Sequence, residues 1–174
     1  MTKEIPSRVT GNLTETIVLD HPHPGDGGAL WRLARDSRTL DVNSPYSYLL
    51  WCRDHGATSV VARDGDGGVC GFVTGYLRPS APDTLFVWQV AVADDHRGRG
   101  LAGRMLAWLA DGKPQGRFLE ATVTPGNTAS TRLFEAFARE RGAVLRRSGL
   151  FAAEDFPVPG HEPEVLFRIG PFPA

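Results

Sequence analysis

Apolar positions in the chain fall into short β-rich runs separated by glycine, proline and charged clusters, with four stretches where they recur at helical spacing. Thr16 to Leu19 reads as a short strand, and the turn cluster after it ends at Asp26, a candidate cap for a helix carrying Leu30, Trp31, Leu33 and Ala34. Ser44-Pro45 supplies an N-cap and first helical position, and Tyr48, Leu49 and Cys52 continue that helix to about Asp54. Thr58–Ala62 and Val69–Tyr76 are strands joined by Arg63-Asp-Gly-Asp-Gly-Gly68, which is hairpin chemistry and makes them antiparallel. Asp83 to Ala93 alternates little, as a strand covered on both faces would. Leu101, Met105, Trp108 and Leu109 share one helix face, Arg117 to Thr124 is the next strand, and Asn127 caps a helix bearing Leu133, Phe134 and Phe137 that stops at Gly142. Val144 to Arg147 and Val165 to Ile169 are the last strands, with a loop from Ser148 to Glu164 between them. The order predicts an α/β (α+β) domain: a mixed central sheet with helices on both faces.

At 174 residues, 41% of them apolar, the chain suits one domain with a real core, spanning 16–174 behind a loose polar tail at 1–15. A net charge of -1 argues against nucleic acid or a membrane surface as partner, so any anion site has to be local. Two cysteines and no apolar run near the start point to a reducing cytoplasm. Asp20, His21, His23 and Asp26 sit in a proline-fixed turn that reads as a loop, and no metal is expected. Cys52 lies on a helix face with no basic activator beside it, which favours direct transfer over a thiol intermediate.

The chemistry concentrates in Val90-Ala-Val-Ala-Asp-Asp-His-Arg97-Gly-Arg-Gly-Leu-Ala102, a strand running through a charged turn into a glycine-rich helix start. Small residues there let backbone N–H groups approach an anion at the positive end of a helix, which suits a pyrophosphate. Arg97 and Arg99 add the prospect of charge-assisted contacts. The turn lacks the Gly-Lys-Ser/Thr ending of a nucleotide-binding loop.

The order strand, Arg97-Gly-Arg-Gly-Leu-Ala102, helix, strand, Asn127, helix resembles the GCN5-related N-acetyltransferase (GNAT) superfamily over roughly residues 16 to 170. Leu40-Asp-Val-Asn-Ser-Pro-Tyr-Ser-Tyr48, Leu85-Phe-Val-Trp-Gln-Val-Ala-Val92, Leu119-Glu-Ala-Thr-Val-Thr-Pro-Gly-Asn127 and Gly160-His-Glu are similar to the diaminobutyrate acetyltransferases of ectoine biosynthesis within it. The resemblance implies acetyl transfer from acetyl-CoA to the 4-amino group of L-2,4-diaminobutyrate, a mostly antiparallel sheet with a splayed central strand pair, and a homodimer. It also implies that main-chain groups of Val90, Ala91 and Val92 pair with pantetheine, while Arg97, Gly98, Arg99, Gly100, Leu101, Ala102 and Asn127 complete the cofactor site.

On the acceptor side a diamine calls for acidic groups, and Asp41 and Glu120 are the candidates, although the commoner fates are a turn carboxylate and a solvated strand position. Glu120 is assigned the proton of the reacting ammonium, since only the free amine has a lone pair. Trp88 can line the pocket by attracting an ammonium, and the resemblance adds Tyr46 and His161. Arg35, Arg38 and Arg78 are open alternatives for the substrate carboxylate. Many GNAT relatives place a tyrosine seven residues after the asparagine to protonate the leaving thiolate, whereas this chain has Phe134, so no general acid is assigned. A protein amine as acceptor, or an acyl-CoA sensor without turnover, are the rival readings.

Overall fold

A computed structural model describes residues 16–112, 116–157 and 159–172; the tail expected at 1–15 lies outside them. Seven strands, β1 (Val18–Asp20), β2 (Val60–Arg63), β3 (Val69–Arg78), β4 (Ala81–Val92), β5 (Phe118–Val123), β6 (Leu145–Phe151) and β7 (Glu164–Ile169), form one sheet in the order β1-β2-β3-β4-β5-β7-β6. Every neighbouring pair is antiparallel except β4 and β5. Their parallel pairing needs a crossover, and it is made by the first of two helices on one face, α3 (Leu101–Asp111) and α4 (Thr128–Glu140). The other two helices, α1 (Gly27–Ser37) and α2 (Pro45–Asp54), precede the long strands.

Two apolar layers hold this together. Val60, Val73, Val87, Met105, Leu109, Leu119 and Phe137 belong to the layer under α3 and α4, while Leu30, Ala34, Tyr48, Cys52, Val61 and Phe72 form the layer under α1 and α2. Strand alternation assigns the faces: Val60 and Val61, or Phe72 and Val73, are chain neighbours in opposite layers. The helices α1 and α2 approach closely because position 27 is glycine; a Cβ there would stand 2.8 Å from Leu49 Cδ2.

Ser44 caps α2 by accepting from the Ser47 N–H, and Asn127 caps α4 by accepting from the Ser130 N–H at 3.0 Å, both as the sequence predicts. Asp26 stands at the N-cap of α1, but its side chain makes no cap bond. Its carboxylate is turned inward, where it takes two hydrogen bonds from Arg63, at 3.0 and 2.9 Å, and one from the His23 N–H. The half-buried guanidinium competed successfully for a group that an exposed helix start would have claimed.

The second departure is β6, which runs to Phe151 although a loop was expected from Ser148. Its last six residues, Arg146–Phe151, are all exposed, so no apolar alternation announces the strand; its backbone bonds to β7 hold it in the sheet.

Burial of Asp26 opposes its ionisation, but the Arg63 pair and the His23 bonds outweigh burial and hold the carboxyl below its ordinary value of 3.8. The unfolded chain therefore binds the proton first, and the stability this pair contributes is present above about pH 4 and lost as pH falls through the lower folded value. Asp26→Asn should lose about 2 kcal/mol at pH 7 in urea unfolding, because the half-buried Arg63 loses its charged partner. The difference from the unmodified protein should narrow below about pH 4.

Candidate active site

The pairing of β4 with β5 stops at Val87 opposite Ala121, yet β4 continues to Val92 and β5 to Val123. Beyond that fork the two strands part. The cause is visible in the register of β4 on β3, where Thr74 faces Gln89 but Gly75 faces Val87, leaving Trp88 as an extra residue. Such a bulge bends the strand and raises its twist. Main-chain groups of β4 past the fork, on the side that faced β5, thereby become available to a ligand.

A cleft of about 390 Å³ opens at this place, walled by Val90, Ala91 and Val92, by Arg97, Gly98, Gly100, Leu101, Ala102 and Gly103, and by Asn127, Ala129, Ser130 and Leu133. Ser37, Thr39 and Leu40 close it from the end of α1 and the connection that follows. Gly98 and Gly100 adopt φ of 74° and 71°, left-handed values that side chains resist, and Gly100 serves as N-cap of α3 without a side-chain cap bond. The first-turn amides of an eleven-residue helix thus lack a side-chain partner and sit at its positive end. Two helix N-termini, those of α3 and α4, contribute to one cleft; a diphosphate suits both the donors and the field.

Arg97 lines the cleft and is also held by its own turn. Its Nε donates to the Val92 carbonyl at 3.1 Å and its guanidinium pairs with Asp94 at 3.0 Å, so it ties the turn to the strand it leaves. Arg99 is exposed and stands outside the cleft lining. Phe134 is buried in the layer under α3 and α4, edge-on to Phe167, so the position that carries a tyrosine in many GNAT enzymes is here a core position.

The residues that the sequence reading assigns to the acceptor stand outside the lining of this cleft. Asp41 adjoins Leu40, its side chain exposed, with its carboxylate 3.9 Å from His161 Nε2. His161 stacks on Phe156 at 3.7 Å between ring centres, and its Nδ1 is 2.6 Å from the Glu162 carbonyl oxygen. Sequence reasoning missed the two groups that fix this corner. Gln89 donates to the Asp41 carbonyl at 2.9 Å while accepting from the Tyr48 hydroxyl, and Glu162 accepts from the Gly126 N–H at 3.1 Å, beside Asn127. A polar Gln89 inside the otherwise apolar run Leu85 to Val92 was the available signal. Tyr46 is 65% exposed on α2. Trp88 stacks on Trp51 with ring centres 4.5 Å apart, and Trp51 in turn meets Tyr76.

Glu120 departs most from expectation. It is 2% exposed, one oxygen accepts from Arg78 at 2.9 Å, and the other is held by Arg168. Both carboxylate oxygens already accept from guanidiniums, a setting that the sequence reading of Glu120 as base did not include. Asp20, His21, His23 and Asp26 do not converge either; His21 Nδ1 bonds with the Ser59 carbonyl and Asp26 serves Arg63. Among the described residues no group of three His, Cys, Asp or Glu can hold a metal ion.

Residues 28–138 match the model of the acetyltransferase (GNAT) family. The chain is 58% identical over 161 residues to an L-2,4-diaminobutyric acid acetyltransferase of Streptomyces coelicolor, covering 91% of this chain and 95% of that protein. This chain belongs to the diaminobutyrate acetyltransferase family. Another member, from Marinococcus halophilus, is 44% identical across 94% of this chain and 95% of its own length. The solved diaminobutyrate acetyltransferase of Paenibacillus lautus, in complex with L-2,4-diaminobutyric acid and coenzyme A, superposes with a TM-score of 0.87 at 41% identity, over 92% of this chain and 98% of that one. The parted strands and the glycine turn described above are thus features of a diaminobutyrate acetyltransferase fold.

Cys52 is buried in the α1–α2 layer, and that burial, with Asp26 adding to it, pushes its thiol up to about 11. With Cys70 also buried, a thiol reagent added to the native protein at pH 8 should modify neither cysteine at an appreciable rate, whereas both should react at once in denaturant.

Proposed function

We propose that this protein transfers the acetyl group of acetyl-CoA to the 4-amino group of L-2,4-diaminobutyrate, the acetylation step of ectoine biosynthesis, by direct attack of the amine on the thioester. The observation that carries this is the fork at Val87 and Ala121 with the glycine turn at its mouth, in a chain 58% identical to a diaminobutyric acid acetyltransferase. In this reading the diphosphate of acetyl-CoA rests on the first-turn amides of α3, and pantetheine runs along the freed edge of β4 from Val92 toward Val90. The thioester then lies at the fork, where a main-chain N–H of β4 can stabilise the developing oxyanion. A buried, weakly acidic Cys52 takes no part.

In the same reading Asp41 and His161, which lie 3.9 Å apart, together with Trp88 and Tyr46, serve the acceptor. An ammonium between an exposed carboxylate and an indole face is held by charge and by the ring quadrupole. The ammonium gives up a proton to solvent before attack, and the thiolate that leaves is a weak enough base to depart without a tyrosine donor at position 134. The near-neutral chain, with no described helix long and apolar enough to cross a membrane, suits a cytoplasmic biosynthetic enzyme. Val144, Leu150 and Phe151, exposed at and beside the edge strand β6, offer an apolar surface for a homodimer.

Two outcomes check this reading. Incubation with acetyl-CoA and L-2,4-diaminobutyrate should give a single product whose two-dimensional NMR spectrum places the acetyl group on the 4-nitrogen; acetylation at the 2-nitrogen, or none, would exclude it. Gly100→Val, which forces a β-branched residue into a left-handed conformation, should weaken coenzyme A binding at least ~10-fold by calorimetry, through displaced α3 amides.

A further inference from the structure

The amino acid that the proposed reaction acetylates carries an α-carboxylate, for which the sequence left Arg35, Arg38 and Arg78 open. We infer that Arg78 and Arg168, oriented by the buried Glu120, form the seat for that carboxylate. The inference rests on the function proposed above and adds the group that recognises the substrate as an amino acid rather than a plain diamine.

The geometry begins with the register. Glu120 lies opposite Phe86 on one side and Arg168 on the other, and Phe86 lies opposite Tyr76, so these side chains form one row across a single face of the sheet. The fork opens one residue beyond Glu120, at Ala121. On the same face Phe86 meets Tyr76 at 5.4 Å between ring centres, Tyr76 meets Trp51, and Trp51 stacks on Trp88. An aromatic wall therefore runs from the bulge beside the fork to the row that holds Glu120.

The charges at the end of that wall do not cancel. Two guanidiniums share one carboxylate, and among the described residues no other carboxylate pairs with either of them. Each arginine gives one nitrogen to Glu120; a second nitrogen of Arg78 reaches the Ser80 hydroxyl at 3.5 Å, and Arg168 lies 3.9 Å over the ring of Phe118. With five N–H donors apiece, both retain donors for a further acceptor. Their side chains are 37% and 34% exposed whereas that of Glu120 is 3% exposed, so the cations face outward and the anion behind them is sealed. A second carboxylate fits the remaining positive charge and the fork geometry of the donors. Of the three arginines left open by the sequence, Arg35 is paired with Asp36 and lies over Trp31, and Arg38 is an exposed residue at the end of α1. Only Arg78 is held beside the fork.

The test compares L-2,4-diaminobutyrate with its carboxamide, which keeps both amines and loses only the negative charge. The unmodified enzyme should favour the acid by at least ~30-fold in kcat/KM, the scale of one charge-assisted bond pair. In Arg78→Gln and Arg168→Gln that preference should fall at least ~10-fold, with the loss on the acid expressed in KM more than in kcat. Arg78→Lys, which keeps Glu120 neutralised should the glutamine variant fold poorly, should also reduce the preference because it lacks the planar fork. Equal use of acid and amide by the unmodified enzyme, or variants that lose both acceptors in proportion, would overturn the inference. Failure of the unmodified enzyme to acetylate the acid at all would instead overturn the proposed function.

Discussion

The site depends on a pair of parallel strands that stop being a pair. Were β4 and β5 bonded along their whole length, the main-chain groups at Val90, Ala91 and Val92 would be spent inside the sheet and the cleft would be closed. One extra residue prevents this. With Trp88 bulged out, two consecutive side chains, Trp88 and Gln89, face the α2 side, where one stacks on Trp51 and the other bonds to the Tyr48 hydroxyl. The bulge is anchored by what it presents: α2 grips the two side chains, and β4 bends away from β5 as a result. The unpaired backbone edge is costly if dry, and an amide-bearing acyl carrier lying along it removes that cost.

The same bend organises the acceptor side through a short chain of polar contacts. Gln89 holds the main chain of Asp41 from below, and Glu162 holds the turn at Gly126, next to the cap of α4. A Cβ at position 126 would stand 2.8 Å from the Glu162 carboxylate, so a side chain there would displace the end of Glu162. Loops carry Asp41 and His161, but each is pinned to a rigid element that also borders the acyl-carrier cleft. The two halves of the site are thus built on one strand and one helix start, which keeps their separation constant without a direct contact between them.

What the sequence made legible follows from what each feature owes to local chemistry. The glycine turn, the Asn127 cap, the Ser44-Pro45 helix start and the β2–β3 hairpin are set by residues within a few positions of one another, and all were readable. Edge strand β6 was not, because an exposed strand bonded by its backbone leaves no alternation to read. The surroundings of Asp26 and Glu120 were not readable, for one shared reason. Their partners, Arg63 and the pair Arg78 and Arg168, lie at least 37 residues away, and a sequence does not show which distant cation a buried carboxylate will meet. The parting of the strands came from family resemblance, since the bulge that causes it is a register event between β3 and β4.

Choosing between two amines of one small molecule is a problem of length rather than charge, because both are cationic before reaction. In L-2,4-diaminobutyrate the 2-amino nitrogen stands about 2.5 Å from the carboxyl carbon and the 4-amino nitrogen about 5 Å in the extended chain. A carboxylate held at Arg78 and Arg168, one residue short of the fork, leaves the nearer amine behind and carries the farther one toward the thioester. Because misplacement by about 1 Å already costs on the order of 100-fold in rate, that difference of reach suffices for strict selection. The anchor has to be rigid for this to work, and long arginine side chains are not rigid by themselves. Glu120 supplies the stiffness: a sealed carboxylate between two guanidiniums contributes little to net stability, but it fixes where both cations point.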